Sequence, residues 1–250
     1  MKIARFRVKD QIYYGEIKDS QVFIIEGNIF GKYTITKQAF PLNDVKLLAP
    51  LQPERIVCVG LNYLSHVQDK AGREVAEEPI IFMTSPSAVI GPDDPIVIPY
   101  PEHITHHEAE LTVVIGKTAR DVKPEEALDY VYGYTCGNDV SDRTLQKQDG
   151  QWTRAKSFHT FKPLGPYITT ELDLADCPVI AKVNGRIVQN GNTNLLIRDV
   201  NKLISFITKV MTLNPGDIIM TGTPGGPGPL AAGDVCEVVV GDMALRNPVK

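Results

Sequence analysis

A chain of 250 residues is long enough for a sizeable core, and its 43% hydrophobic and 22% charged residues suit an ordinary globular protein. A net charge of −4 with no basic run excludes an electrostatic footprint for nucleic acid. No apolar stretch reaches bilayer-spanning length, and the first ten residues lack the apolar core of a signal peptide. Cys58, Cys136, Cys177 and Cys236 form no C-x-x-C pair, so the expectation is a cytoplasmic protein with buried free thiols, neither a disulfide framework nor a zinc site.

Residues 1–49 alternate short β-like runs with turns. Strands are expected at 3–8, 13–17 and 22–25, punctuated by Gly15, Gly27, Asn28 and Gly31. This part reads as a small N-terminal β-rich domain, joined through prolines 50 and 53 to a larger domain over 50–250. Residues 55–59 form an apolar strand broken by G-L-N-Y at 60–63. Helical spacing over 64–70 brings His66 and Asp69 to one face, which suits surface capping as well as chemistry. Residues 71–78 hold almost no core side chain and read as a mobile surface segment or lid. A strand at 79–83, a turn at 84–88 and a short edge strand at 96–98 between prolines follow.

The stretch H-H-E-A-E-L-T-V-V-I-G at 106–116 is the first with evident chemistry. In a strand, Glu108, Glu110 and Thr112 share one face, and Ala109, Leu111, Val113 and Ile115 share the other. Adjacent carboxylates resist joint ionisation unless a cation offsets them, and a hard divalent ion such as Mg²⁺ suits all-oxygen ligands. Taken alone, the pattern equally describes a solvated strand edge with two surface glutamates. His106 and His107 point to opposite faces, so at most one joins the glutamates. A short helix at 124–130 and a strand at 131–136 lead to Asn138-Asp139 at a strand end, where a rigid element places a side chain at a rim. The helix expected from about Ser141 puts Arg143 and Gln146 one turn apart. Lys156 follows in a polar stretch with Trp152, and by itself reads as a solvated charge, as does Arg143.

Strands are expected at 166–170, 179–183 and 186–188, with Asn184-Gly185 as a hairpin turn. Residues 199–213 form the best helix, with Asp199 as N-cap and Val200, Leu203, Ile204, Ile207, Val210 and Met211 as a core-facing stripe. A buried strand at 217–220 runs into T-G-T-P-G-G-P-G-P at 221–229. That loop can turn backbone N–H groups toward an anion, but it is not a P-loop. Strand 235–240 and a tail over 243–250 close the sheet.

Taken in order, several motifs resemble the fumarylacetoacetate hydrolase family over about residues 50–245. They are V-G-L-N-Y-x-x-H at 59–66, P-S-A-V-I-G-P-D-D-P-I at 86–96, H-H-E-A-E-L at 106–111, G-N-D-V-S-D-R at 137–143, A-K-S-F at 155–158, V-N-G-R-I-V-Q-N-G-N-T at 183–193, P-G-D-I-I-M-T-G-T-P-G-G at 215–226 and G-D-V at 233–235. The resemblance implies an α+β, predominantly β fold: a mixed β-roll with a small N-terminal β-rich domain, usually a homodimer. It implies Mg²⁺, with Mn²⁺ or Ca²⁺ in some members, held by Glu108, Glu110 and Asp139. The substrates it implies are small 2-oxo or β-diketo acids, which chelate the metal through carboxylate and keto oxygens. Cleaving the adjacent C–C bond of an acylpyruvate or oxaloacetate leaves an enolate that the metal stabilises. The alternatives are isomerisation of 2-hydroxyhepta-2,4-diene-1,7-dioate or 5-carboxymethyl-2-hydroxymuconate in aromatic catabolism, and a non-catalytic metal-binding member.

Carried onto this chain, the resemblance makes His66 the proton-transfer group and Asp69 its partner. Lys156 and Arg143 become cations for an anionic substrate. Asn62, Tyr63, Gln146, Gly222 and Thr223 surround that substrate, Thr223 through main-chain N–H groups. Two positions depart from the family pattern. Many members have a glutamate where this chain has the shorter Asp69, and many have a lysine near Thr84, which carries no charge.

Overall fold

The computed structural model describes residues 1–69 and 74–250. Period-two alternation at the start of the chain gives an antiparallel meander of β1 (Lys2–Val8), β2 (Gln11–Lys18), β3 (Gln21–Gly27) and β4 (Tyr33–Pro41), with β5 (Lys46–Leu48) returning along β1. β4 escapes the sequence pattern because it is an edge strand with no buried residue, so no apolar face marks it. β6 (Ile56–Gly60) leads into α1 (Leu64–Gln68), and β7 (Ile80–Thr84) returns antiparallel to β6. Residues 71–73 of the expected lid lie outside the described residues. Residues 74–78 have no helix or strand, and the Arg198 guanidinium donates to the carbonyls of Ala76 and Glu77.

The chain continues through β8 (Val89–Ile90), β9 (Thr105–His106), β10 (Ala109–Ile115), β11 (Val131–Asn138) and β12 (Ser141–Asp142). The edge strand expected at 96–98 reduces to one parallel bridge between Ile96 and Val249, since the prolines at 95 and 99 interrupt the ladder. Two short helices follow, α2 (Arg143–Asp149) and α3 (Thr153–Lys156), before β13 (Lys162–Thr169), which starts four residues earlier than its prolines and glycine suggest. β14 (Pro178–Val183) and β15 (Arg186–Asn192) form the expected hairpin, with Asn184 and Gly185 both at positive φ. α4 (Val200–Val210), β16 (Ile218–Met220), β17 (Val235–Val240) and β18 (Met243–Pro248) complete the chain.

Twelve strands make one mixed sheet, whose main path runs β4-β3-β2-β1-β13-β11-β10-β16-β6-β7. β1 pairs with β13, so the N-terminal meander continues the large sheet. A second sheet, β15-β14-β17-β18, covers the first. Between them lies the largest core cluster, where Leu111, Val113 and Ile115 of β10 meet Val179 and Ala181 of β14 and Val238 and Val240 of β17. α4 adds Leu203, Ile204 and Ile207 to that core. Its N-cap is as expected: the Asp199 carboxylate accepts from Lys202 N–H at 2.9 Å. The helix ends at Val210, which is 59% exposed, while Met211, just past it, still packs against that core. All four cysteines are free and buried. Among the described residues no helix is long and apolar enough to cross a membrane.

Candidate metal centre and active site

Antiparallel pairing builds the site. β10 and β11 align Ala109 with Asn138 and Glu110 with Gly137, so Asp139, one residue past β11, comes beside Glu108. Two hydrogen bonds fix this end: Asp139 N–H donates to the Glu108 carbonyl (2.9 Å), and Glu108 N–H donates to the Asn138 side chain (3.0 Å). Glu108, Glu110 and Asp139 are all buried, and one carboxylate oxygen of each lies within 4.8 Å of the others. Gly137 allows this approach, since a Cβ there would stand 2.3 Å from Thr112 Oγ1. Three buried carboxylates demand positive charge, and an all-oxygen donor set fits a hard divalent ion. The glutamate face is therefore the floor of a site and not a solvated edge.

Three side-chain cations surround the triad. Lys156, at the end of α3, donates to Glu108 Oε2 at 2.8 Å and to Asp139 Oδ2. Lys162, the first residue of β13, is wholly buried, with Nζ 2.7 Å from Asp139 Oδ1. Its ammonium also donates to the carbonyls of Lys156 (2.5 Å) and Phe161 (3.0 Å). Arg143, on α2, donates to Glu108 Oε1 and to Gln146 Oε1 (2.8 Å). These neighbours divide the glutamates. Burial would raise the Glu108 pKa, but Arg143 and then Lys156 outweigh it and hold the carboxyl well below its usual range. Burial, then the charges of Asp139 and Glu108, push Glu110 well above that range, opposed in part by Lys156 and by Gly222 N–H at 2.8 Å. For Lys156, too, burial is outweighed: Asp139 and Glu108 raise its pKa.

His66 is buried at the wall, with Nε2 3.9 Å from Glu108 Oε1. Asp69 Oδ2 stands 3.7 Å from His66 Nδ1, beyond hydrogen-bond length, and accepts instead from Gly226 N–H at 2.8 Å. The central cavity is lined by His66, Glu108, Glu110, Asp139, Gln146, Lys156 and Thr223, with Val59, Gly60, Leu61, Phe82 and Trp152 as an apolar wall. Asn62 and Tyr63 are placed differently from the sequence expectation. Asn62 spends both amide hydrogens on the carbonyls of Arg198 and Thr221 (2.9 Å each) and accepts from Arg198 N–H, so it ties the framework together. Tyr63 is wholly buried, its phenol pKa pushed up by burial and then by Glu110. Gly222 takes φ +99°, and a Cβ there would meet Asn62 Cβ at 2.9 Å, so the loop can pass this close only without a side chain. His106 lines an outer cavity with His66, Asp69, Arg143, Gly226 and Pro227. His107 faces Gln189 and Gly228.

Lys162, Phe82 and Trp152 were not evident from sequence. Phe82 and Trp152 pack edge to face at 5.1 Å, and Lys156 Nζ lies 5.1 Å from the Phe82 centroid. The one available signal was Gly60, where a Cβ would come 2.6 Å from the Trp152 ring. Thr84 is buried against Cys58 (3.7 Å), and Cys58 lies within the field of Lys162. The second ammonium at the triad thus comes from β13 and not from the end of β7.

The chain is similar to known proteins. The model for the C-terminal part of fumarylacetoacetate (FAA) hydrolase matches residues 55–250, and a model described as Rv2993c-like, N-terminal, matches residues 1–50. The mitochondrial oxaloacetate tautomerase of Xenopus laevis is 42% identical over 221 residues, covering 83% of this chain and 69% of that protein. The crystal structure of 2-hydroxyhepta-2,4-diene-1,7-dioate isomerase from Mycobacterium marinum superposes with a TM-score of 0.92 at 40% identity, covering 100% of this chain and 98% of the other. Maleylpyruvate hydrolase from Sphingobium sp. SYK-6, solved with manganese(II) ion and pyruvate, does so with a TM-score of 0.82 at 30% identity and the same coverage. Since the sequence match runs through all three carboxylates and the fold match covers the whole chain, the protein belongs to the fumarylacetoacetate hydrolase family.

Proposed function

We propose that the protein is a divalent-metal-dependent enzyme that cleaves a C–C bond in a small 2-oxo acid of the acylpyruvate or oxaloacetate type, with Mg²⁺ as the working ion. The observation that carries this reading is the convergence of three buried carboxylates with His66 and Lys156 at one cavity. Glu108, Glu110 and Asp139 would hold the ion, which when bound supplies the Lewis acid that draws charge from a keto oxygen. Lys156 and Arg143 bring positive charge to the anionic substrate. His66 holds or moves a proton at Nε2, taking it from water for hydrolysis or returning it to carbon. Thr223 offers its main-chain N–H to a substrate oxygen, and Phe82 and Trp152 keep the inner wall dry.

The test is a parallel assay of acylpyruvates, oxaloacetate and 2-hydroxymuconate-type dienes with Mg²⁺ or Mn²⁺. The expected result is metal-dependent release of pyruvate from an acylpyruvate or of CO₂ from oxaloacetate, lowered about a hundredfold or more in His66→Ala. Metal binding without turnover of any of these compounds would leave a binding protein instead. One observation favours proton transfer alone as a second reading. Asp69 is engaged by Gly226 and stands 3.7 Å from His66, so it is not aligned to strengthen a water-activating base. A tautomerase or isomerase needs only the mobile proton of His66. Under that reading, Asp69→Asn leaves keto–enol exchange of oxaloacetate near the wild-type rate, and no acylpyruvate is hydrolysed.

A further inference from the structure

The 221–229 loop has six main-chain N–H groups, since three of its nine residues are proline. Five of them are already taken. Thr221 N–H donates to the Leu111 carbonyl (3.1 Å), Gly222 N–H to Glu110 (2.8 Å), Gly225 N–H to Ser65 Oγ (2.9 Å), Gly226 N–H to Asp69 (2.8 Å) and Gly228 N–H to His107 Nε2 (3.2 Å). Thr223 N–H makes no hydrogen bond among the described residues, and Thr223 lines the central cavity. Its hydroxyl is not available in the same way, because its single hydrogen goes to the Ala109 carbonyl at 2.8 Å.

That hydroxyl is held from behind by Gln189, a buried residue of the second sheet. The Gln189 amide uses its whole capacity. Oε1 accepts from Ala109 N–H and from His107 Nδ1 (3.0 Å each), and Nε2 donates to Thr223 Oγ1 and the Pro224 carbonyl (2.8 Å each). Ala109 N–H can only donate, which fixes the amide orientation and obliges His107 to carry its proton on Nδ1. Nε2 is then the acceptor that Gly228 N–H requires. Every group in this chain of bonds has one consistent role, and the chain joins β10, β15 and the loop. Gly191, two residues along β15, lets the strand approach, since a Cβ there would lie 2.5 Å from Pro224.

We propose that His107 and Gln189 are positioning residues: they clamp the 221–229 loop so that one donor, Thr223 N–H, is presented to an oxygen of the anionic substrate. This rests on the proposed function, in which a 2-oxo acid binds beside the triad. The test uses the full chain loaded with Mn²⁺ and oxalate as the substrate probe, with metal and oxalate affinities measured separately by calorimetry. Gln189→Met is expected to bind Mn²⁺ within about twofold of wild type and oxalate about ten- to a hundredfold more weakly, the worth of one hydrogen bond to a charged group. Thr223→Val is expected to lose oxalate affinity to a similar degree, and Thr223→Ser to recover it. If Gln189→Met does not fold, Gln189→Glu keeps the acceptor and replaces the donor, and the same split is expected.

Oxalate affinity unchanged in the Gln189 variants, with Thr223→Val impaired, would overturn the clamp in favour of direct contact by the hydroxyl. Equal loss of metal and oxalate affinity would overturn it in favour of a merely structural role. Absence of oxalate binding to metal-loaded wild type would instead overturn the functional reading itself, and the clamp with it.

Discussion

Lys162 shows what one residue contributes and what hid it. It is a buried ammonium that donates to the carbonyls of Lys156 and Phe161 and stands in ion-pair contact with Asp139 Oδ1. Lys162→Met removes the charge beside Asp139 Oδ1 and leaves the buried carboxylate with Lys156 as its remaining ammonium partner. Breaking a buried pair from one side costs about 3–5 kcal/mol, so thermal denaturation in chelator is expected at a clearly lower temperature than wild type. A divalent ion held at the triad as proposed would supply the missing charge, so excess Mg²⁺ should raise the melting temperature of the variant more than that of wild type. Equal shifts in the two proteins would show that Lys162 does not serve the triad. Glu108 and Glu110 were legible because strand alternation puts them on one face. Lys162 was not, since the K-P-L-G-P run conceals the start of β13. Phe82 and Trp152 reach the cavity through pairings that no local pattern encodes.

Among the elements, those with their own punctuation were the readable ones. α4 announces itself through Asp199 and an apolar stripe, and the β14–β15 hairpin through Asn184-Gly185. β4 lacks such a mark, because an exposed edge strand needs no apolar face. The 221–229 loop was legible as a possible anion cradle, yet the assignment of its N–H groups follows from α1, β10 and β15 closing on it from three sides. This makes Gly222 a sensitive point. Gly222→Ala forces a side chain into φ +99° and against Asn62, moving the N–H away from Glu110. Outer partners of metal ligands are worth about ten- to a hundredfold in affinity, and Mn²⁺ titration of the variant should show a loss in that range. Asp199→Ala is the control: loss of the N-cap costs about 1 kcal/mol of stability and should leave the titration unchanged.

At the scale of the molecule, the site is a charge balance assembled from distant parts of the chain. β10 with the residue before it and the residue after β11 supply the carboxylates, while α2, α3 and β13 supply Arg143, Lys156 and Lys162. The pairing of β1 with β13 also joins the N-terminal meander to the strand that carries Lys162, a register between remote segments that local alternation does not specify. The two glutamates have shifted in opposite directions, and the sign of each sets a pH dependence. Glu108, held low, contributes stability above the unfolded carboxylate value of about 4.5 that is lost on acidification. Glu110, held high, keeps its proton to a higher pH in the folded metal-free protein than in the unfolded chain; its contribution is whole below about 4.5 and is lost as pH rises through its folded value. Above 4.5 Glu108 is ionised in both states, so of the two glutamates only Glu110 lowers the stability of the metal-free protein as the pH rises. Under the proposed ligation a divalent ion takes Glu110 as the carboxylate, so binding below the folded pKa of Glu110 releases a proton and strengthens as the pH increases. Calorimetry with Mg²⁺ in buffers of different ionisation enthalpy should therefore report net proton release on binding. In Glu110→Gln the release should vanish and the affinity fall, whereas undiminished release from that variant would place the proton on another group and exclude Glu110 as its source.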